Sequence, residues 1–400
     1  MRYIGLDIGR DFAHVAVVEG GGAARRLPRL AMGGEFRAFA ATLGPDDSVA
    51  IEASTNTWAL AELLGRHAGA VTVSNPLRTR AIASAKRKTD DIDAATLAEL
   101  LAADYLPPVW RPDEATRTLR RLVSHRAGLV RDRTAARNRV AAVLARRLVR
   151  PPATDLFGVR GRAWLESLEL PADERLSLDS GLALDAVLTG QVAAAERAIA
   201  AAVVDDPRAR RLLTIPGVGL VVAASILAVV GDVGRFDRPA KLVSYLGLDP
   251  RVRQSGDRPA MRGHISRAGQ AHARGLLCEA AHSAVRSPGP LAGFHARVKA
   301  RRGGAVATVA TARKLAVLVW HLLSKGEDCR FAPAARTALK QRALDRTAGR
   351  QWTRPSQRGA TGSSRDLGRA RLRGGDDPHH PALRQAIDRV RADTTPPSGA

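Results

Sequence analysis

The chain has 400 residues, of which 45% are hydrophobic and only 4% aromatic, and its formal net charge is +24. That length predicts two or three domains, whose cores must be built from Ala, Val and Leu. The charge favours a polyanionic partner such as nucleic acid, although an arginine-rich composition alone would also produce it. The only two cysteines, Cys278 and Cys329, argue against a disulfide framework or a zinc site and predict a reduced, cytoplasmic protein.

The apolar runs predict no membrane-spanning segment. The longest uninterrupted one lies near residues 220–230 and is too short to cross a bilayer. The N-terminus enters a strand pattern at once, which predicts the absence of a signal peptide.

Residues 1–108 show strand and helix patterns in alternation. Residues 2–9 and 12–19 alternate as a hairpin, and a third strand is predicted near residues 24–30. Helical and strand segments then alternate, and Thr89 is typical of a helix N-cap. This order predicts an α/β domain of the ribonuclease-H type.

The remaining sequence is mostly helical. Residues 109–205 predict a helical or coiled-coil connector whose arginine-rich first half (113–149) would bind a polyanion. Residues 206–330 predict a mostly α-helical C-terminal domain. Residues 331–400 form a basic tail rich in Arg, Gly, Pro and Ser, which predicts a disordered and dispensable segment. That tail is either a nonspecific nucleic-acid arm or a neutral extension.

Four carboxylates stand where a divalent-metal site is expected. Asp7 and Glu52 end predicted buried strands, whereas Asp90 and Asp93 are three residues apart and share one face of a helix. Buried carboxylates are costly unless they are paired or bound to metal. A pair of Mg²⁺ ions held there would stabilise the attacking and leaving oxygens of a phosphodiester reaction. A solvated, capped helix start explains Asp90 and Asp93 equally well.

Two glycine-rich segments carry further candidates. In residues 214–219 (Thr-Ile-Pro-Gly-Val-Gly), Gly217 and Gly219 resemble a helix-hairpin-helix element whose backbone N–H groups approach a DNA phosphate. An ordinary tight turn is the alternative. Ser255 and Ser266 lie in arginine-rich loops, and either could be a nucleophile beside cations that hold a phosphate. A loop serine that turns the chain is the alternative.

In this combination and order, the motifs of residues 1–330 resemble a known family. The similarity lies in residues 88–94 (Lys-Thr-Asp-Asp-Ile-Asp-Ala) and in the glycine, serine and arginine positions of residues 215–274. The chain is similar to the insertion-sequence transposases with a DEDD motif, often called the IS one-ten family. Gln270 and residues 257–259 depart from the family pattern, and the basic tail does not belong to it.

The resemblance implies an RNA-guided DNA recombinase with a RuvC-like nuclease domain, a coiled-coil connector and a C-terminal transposase domain. It implies Mg²⁺ at Asp7, Glu52, Asp90 and Asp93, and a nucleophilic serine at Ser255, with Ser266 as the second candidate. Nucleic-acid contacts are expected at Gly217, Gly219, Arg253, Arg267 and Arg274. The implied partners are DNA, a structured guide RNA and further copies of the chain in a dimer or tetramer.

Two other functions compete with this one. A structure-specific nuclease of the Holliday-junction-resolvase type would share the four acids and hydrolyse with water, but would need neither Ser255 nor residues 210–329. A non-catalytic nucleic-acid-binding remnant is the third hypothesis, and the presence of all four acids and both serines argues against it.

Overall fold

The computed structural model describes residues 1–82, 89–152, 154–256 and 258–350. Its N-terminal part is a five-stranded mixed sheet in the order β3-β2-β1-β4-β5. The strands are β1 (Arg2–Ile8), β2 (Phe12–Glu19), β3 (Arg25–Ala31), β4 (Asp47–Glu52) and β5 (Ala70–Ser74). β1, β2 and β3 pair antiparallel, whereas β4 and β5 continue the sheet in parallel. This arrangement is compatible with the predicted ribonuclease-H-like fold.

Helices cover both faces of this sheet because its strands are apolar on both sides. The helices of this part are α1 (Gly34–Ala41), α2 (Thr57–Leu64), α3 (Pro76–Ile82) and α4 (Asp90–Ala102). Ile4, Leu6 and Ile51 pack into one core with residues of α1 and α2. Ala16 and Ala50 point to the other side, where they pack against α4. The alternation along each strand therefore decides which side chains face α4.

Two long helices follow and run antiparallel to each other. They are α5 (Glu114–Arg146) and α7 (Ala172–Val203), with the short α6 (Val159–Glu166) between them. Ion pairs join Arg126 to Glu196, Arg137 to Asp185 and Arg146 to Glu174, so later residues of α5 meet earlier residues of α7. This region is thus helical, and several arginines of α5 form ion pairs with acids of α7.

The C-terminal part is mostly helical, as predicted. Its elements are α8 (Pro207–Leu213), α9 (Leu220–Val230), a short 3-10 turn (Val233–Arg235), α10 (Pro239–Tyr245), β6 (Pro250–Arg253), β7 (Met261–Ile265), α11 (Ala271–Ala284), α12 (Pro290–Arg302), α13 (Gly304–Lys325) and α14 (Ala334–Thr347). Their core also includes Leu119, Val123 and Ile199 from the long helices. The connector therefore shares its main core with this part.

The predicted disordered tail from residue 331 is wrong for residues 334–347. These residues form α14, where Leu344 is almost fully buried. Lys340 Nζ donates hydrogen bonds of 2.7 Å to the carbonyl oxygens of Leu213 and Ile215. The composition of this segment does not predict the helix, because only Leu344 is buried and the other contacts named here are polar. Residues 351–400 lie outside the described part of the chain.

Two helices are long and apolar enough to cross a membrane by length and composition alone, α7 and α13. α7 packs along α5 and carries the fully buried, ion-paired Asp185, while α13 contributes Leu315 and Val319 to the C-terminal core. Both are explained as core helices. The apolar run of residues 220–230, singled out from sequence, is the shorter α9.

Candidate active site

Strand alternation places three polar side chains on the face of the sheet that α4 covers. Asp7 ends β1 and lies opposite His14 of β2 in the antiparallel register. Leu6 pairs with Ile51 of the parallel strand β4, so Glu52 follows Ile51 at the same edge. Because Leu6 and Ile51 face the α1/α2 side, their successors Asp7 and Glu52 face α4.

Helix α4 supplies the other two carboxylates of the predicted set. Thr89 is its N-cap and accepts a hydrogen bond from the backbone N–H of Ile92, as the sequence predicts. Asp90 and Asp93 lie in the first turn, next to the end of β1. The helix approaches this strand closely at Gly5, where a Cβ atom would lie 2.0 Å from the carbonyl oxygen of Ala94.

The electrostatics of Asp7 show that the four acids are neighbours. Burial raises the pKa of Asp7, and the negative charges of Asp90, Asp93 and Glu52 raise it further, to about 6. His14 opposes this shift because its imidazolium would favour the carboxylate. Residues separated by up to 86 positions in the sequence thus form one electronegative cluster at the edge of the sheet.

His14 also belongs to this cluster, although no sequence motif points to it. Its Nδ1 lies 2.5 Å from Asp91 Oδ1, and its Nε2 lies 3.6 Å from Asp90 Oδ2. The register of the predicted hairpin could have identified His14, because a turn over residues 9–11 places it opposite Asp7. His14 holds the first turn of α4 against β2.

The chemistry of this cluster suits a hard divalent cation. Carboxylate oxygens are the ligands that Mg²⁺ prefers, and a cation would relieve the repulsion that raises the pKa of Asp7. Within the described residues, no three Asp, Glu, His or Cys side chains stand close enough to ligate one ion together. The fold brings the four predicted acids to one face of the sheet. To ligate one ion, their carboxylate oxygens would have to move closer to one another.

The two candidate serines occupy different parts of the β6/β7 hairpin. Ser255 is exposed in the loop between the strands. Ser266 follows β7 and is half-buried; its Oγ donates a 2.7 Å hydrogen bond to Asp249 Oδ1, and its backbone N–H donates to the Asp249 carbonyl oxygen. Asp249 also accepts a hydrogen bond from Ser244 at 3.3 Å. Ser266 thus closes the base of the hairpin that presents Ser255.

Some of the predicted nucleic-acid contacts also have packing roles inside the domain, whereas others are exposed or open to solvent. A Cβ atom on Gly217 would lie 2.2 Å from the carbonyl oxygen of Ala280, so close packing on α11 explains this glycine without a phosphate. Arg274 donates to the carbonyl oxygen of Leu246 at 3.1 Å, which explains it as a brace inside the domain. Gly219 is open on its Cα side, and Arg253 and Arg267 are exposed. Lys88 of the first motif lies outside the described residues.

Comparison with known proteins decides the family. The profile of DEDD transposases of the IS110 type, described as "Transposase", matches residues 4–147, and that of the "Transposase IS116/IS110/IS902 family" matches residues 209–296. A probable family 20 transposase of Pseudomonas aeruginosa is 30% identical over 263 residues, which cover 60% of this chain and 73% of the relative. The chain belongs to the IS110 family of DEDD transposases. It is thus a DNA transposase of an insertion sequence.

Two further relatives of this transposase span different lengths. The transposase of insertion sequence element IS1328 from Yersinia enterocolitica is 27% identical over 335 residues, covering 81% of this chain and 97% of the relative. A pilin gene-inverting protein from Moraxella lacunata is 29% identical over 236 residues, covering 57% and 64%. An IS110-type DEDD transposase generally uses a divalent metal ion.

Proposed function

We propose that this transposase cuts and rejoins the DNA of its insertion sequence through a serine nucleophile, with Mg²⁺ held by Asp7, Glu52, Asp90 and Asp93. The observation that carries the metal site is that four carboxylates lie near one another at one edge of the sheet. Burial raises the pKa of Asp7, and the negative charges of Asp90, Asp93 and Glu52 raise it further, to about 6. Carboxyl groups with strongly shifted pKa values are frequent at functional sites, because catalysis and metal binding bring together like charges that destabilise the fold. Mg²⁺ would stabilise the charge that develops on the phosphate oxygens.

Ser255 is the proposed nucleophile because its side chain is exposed and can reach a DNA phosphate. Its Oγ attacks phosphorus, the bond from phosphorus to one deoxyribose oxygen breaks, and that oxygen takes up the serine proton. The resulting phosphoserine diester keeps the phosphodiester energy, so a hydroxyl of a second DNA end can displace the serine without an external energy source. The serine then regains a proton as the new DNA bond forms.

Arg253 and Arg267 are the cations proposed to hold the scissile phosphate. Both are exposed and flank the hairpin, Arg253 at the end of β6 and Arg267 just after Ser266. A guanidinium can donate two hydrogen bonds to one phosphate and stabilise the charge of the pentacoordinate transition state. Gly219, the uncapped start of α9, is a third proposed phosphate contact.

The RNA partner and the oligomeric state are proposed from the family resemblance, and a relative supports the rejoining of DNA. A structured guide RNA and a dimer or tetramer, in which the serine of one subunit meets the acids of another, are expected from the resemblance alone. The Moraxella lacunata relative is named for inverting a pilin gene. Inversion of a DNA segment requires cutting followed by rejoining, which supports a reaction that conserves the phosphodiester energy.

The decisive experiment traps strand exchange with Mg²⁺ and locates the covalent adduct by mass spectrometry of the digested protein. We expect DNA attached to Ser255, and we expect Ser255→Ala to block cutting and joining while DNA binding persists. Ser266→Ala is the matched control, because it removes the same atoms from a serine that closes the hairpin. An adduct on Ser266 would support the same mechanism with Ser266 in place of Ser255 as the nucleophile.

The remaining alternatives give different products. Free hydroxyl ends with no adduct, together with an active Ser255→Ala variant, would support hydrolysis by water as in a Holliday-junction resolvase. Binding without any cutting by the unaltered protein would indicate an inactive remnant. Loss of both steps in Asp7→Asn, with the fold intact, is the outcome that the metal site requires.

A further inference from the structure

An open cleft of about 510 Å³ lies between α11, α12 and the start of α13, away from the acids and serines of the proposed active site. Its lining includes His282 of α11, His295 and Lys299 of α12, and Thr308 of α13. Cys278 lies in the same wall and is partly exposed. No acidic side chain is among the residues that line this cleft. The lining of the cleft therefore carries the positive charge of Lys299 and no negative charge, which favours an anionic ligand.

Helix α12, which forms one wall, carries an unusual charge for this chain. It contains four Arg or Lys residues and no Asp or Glu: Arg297, Lys299, Arg301 and Arg302. All four are exposed, and within the described residues none of them forms a salt bridge. Over residues 271–325 there are nine Arg or Lys residues against a single acid, Glu279.

Several arginines of the long helix α5 are ion-paired or hydrogen-bonded to other helices, unlike the cations of α12 in the described part of the chain. Its arginines are also numerous, yet Arg126 and Arg137 are held by acids of α7, and Arg120 donates to the carbonyl oxygen of Ala228. Those arginines hold the fold together. Within the described residues the cations of α12 form no ion pair, and Arg301 Nε donates to the carbonyl oxygen of Arg297 in its own helix at 3.4 Å, so their charge is available to a partner.

The packing of α12 leads to the same conclusion. None of its residues is buried, and its contact with α13 is made by half-buried side chains such as Phe294, whose ring lies 5.6 Å from Lys314 Nζ. The helix thus adds little to the core. The first turn of α13 has no side-chain cap, so its amide N–H groups add positive potential at the edge of the cleft.

We propose that the α11–α13 cleft and the exposed cations of α12 bind the phosphodiester backbone of duplex DNA outside the active site. Helix α12 has 13 residues and is about 20 Å long. Lys299 lines the cleft, and Arg302, three residues later, lies on the same side of the helix, whereas Arg297 and Arg301 lie on another side. At least two of the four cations can therefore contact phosphates of one duplex. The inference rests on DNA being the substrate of the transposase. It does not depend on the serine chemistry, because binding can be measured without any cutting.

The test measures the affinity for a 30-base-pair DNA duplex of arbitrary sequence by fluorescence anisotropy at several salt concentrations. Replacing Arg297, Lys299, Arg301 and Arg302 by Gln should reduce the slope of log affinity against log salt by about 2 to 4, since each lost phosphate contact removes about one released counterion. Replacing the three arginines by Lys should preserve the slope. Binding is measured without Mg²⁺, so that no cutting contributes to it, which separates this inference from the proposed function.

The matched control removes four exposed arginines elsewhere: Arg25, Arg26, Arg37 and Arg66. It changes the net charge equally, so an equal loss of slope would overturn the proposal. A 30-nucleotide RNA hairpin is measured in parallel, and a loss confined to RNA would overturn the assignment to DNA.

Cys278 offers a second and local readout. It lines the cleft, whereas Cys329 is buried and serves as an internal reference. Burial raises the pKa of the Cys278 thiol, so its alkylation by N-ethylmaleimide is followed at pH 8.5. The duplex should slow this alkylation several-fold in the unaltered protein. Equal rates with and without DNA would contradict occupation of the cleft.

Discussion

A Cβ atom on Gly5 would lie 2.0 Å from the carbonyl oxygen of Ala94. No methyl group fits there, because the same atom would also lie 2.5 Å from the backbone nitrogen of Ala98. The glycine in the middle of β1 therefore lets the backbone of α4 rest directly on the sheet. That contact fixes the distance between Asp7 on the strand and Asp93 on the helix.

The first prediction follows from this contact. Gly5→Ala should push α4 away from β1, lower stability by roughly 1–3 kcal/mol as overpacking does, and abolish strand transfer. Urea unfolding and a strand-transfer assay measure the two effects. The control is Gly190→Ala in α7, where a Cβ meets nothing within 4 Å; it should stabilise by roughly 0.5–1 kcal/mol. Full activity of Gly5→Ala would show that the site does not depend on this approach.

The second prediction concerns pH and metal. The folded pKa of Asp7, about 6, lies above its ordinary value of 3.8, so metal must displace a proton below pH 6. Mg²⁺ affinity, measured by titration calorimetry, should rise with pH by up to about tenfold per unit below pH 6 and level off above pH 7. Asp7→Asn should weaken binding and flatten this profile. A pH-independent affinity in the unaltered protein would contradict the carboxylate cluster.

The third prediction concerns the metal-free protein. A carboxyl whose folded pKa is raised contributes stability below pH 3.8, and this contribution is lost as pH rises through about 6. At pH 7 without metal, Asp7→Asn should therefore be more stable than the unaltered chain, by about 1 kcal/mol once solvent screening of the half-buried group is allowed for. The difference should shrink at pH 4. Thermal unfolding at the two pH values measures it, and a less stable variant at pH 7 would refute the repulsion.

The fourth prediction concerns Asp185, whose side chain is fully buried between the long helices. It pairs with Arg137 of α5 at 2.5 Å and with Arg162 of α6. Asp185→Ala leaves two arginines without their acid and should cost about 3 kcal/mol, since removing one partner of a buried ion pair is strongly destabilising. Asp173→Ala on the exposed start of α7 is the control and should change stability by less than about 0.5 kcal/mol. Similar unfolding midpoints for both variants would contradict this role.

The fifth prediction concerns the C-terminal segment. Truncation after residue 350 should leave stability unchanged, whereas truncation after residue 331 removes α14. The shorter chain loses the burial of Leu344 and the ion pair of Asp345 with Arg210, and should be less stable by at least about 2 kcal/mol. Comparing the thermal unfolding of both truncations tests this. Equal stability of the two would restore the sequence-based boundary at residue 331.

The sequence by itself determined the elements that carry the acids. Alternating apolar residues predict the hairpin of β1 and β2 and the strand that ends at Glu52, and Thr89 predicts the start of α4. These signals are local, because a strand repeats every two residues and a capped helix begins within four. The likeness to DEDD transposases lies in the same short motifs, and the family profiles confirm it.

The tertiary structure alone decided which side chains meet. The composition shows many arginines, yet only the fold shows that Arg126 of α5 pairs with Glu196 while the cations of α12 stay exposed. The sequence predicts nucleic-acid contacts for Gly217 and Arg274, and only the fold shows that Gly217 also packs closely on α11 and that Arg274 donates to the carbonyl oxygen of Leu246. The physical reason is that hydrogen bonds, ion pairs and close backbone contacts act over a few ångströms between residues far apart in the chain. A local pattern in one segment therefore does not predict which distant segment packs against it.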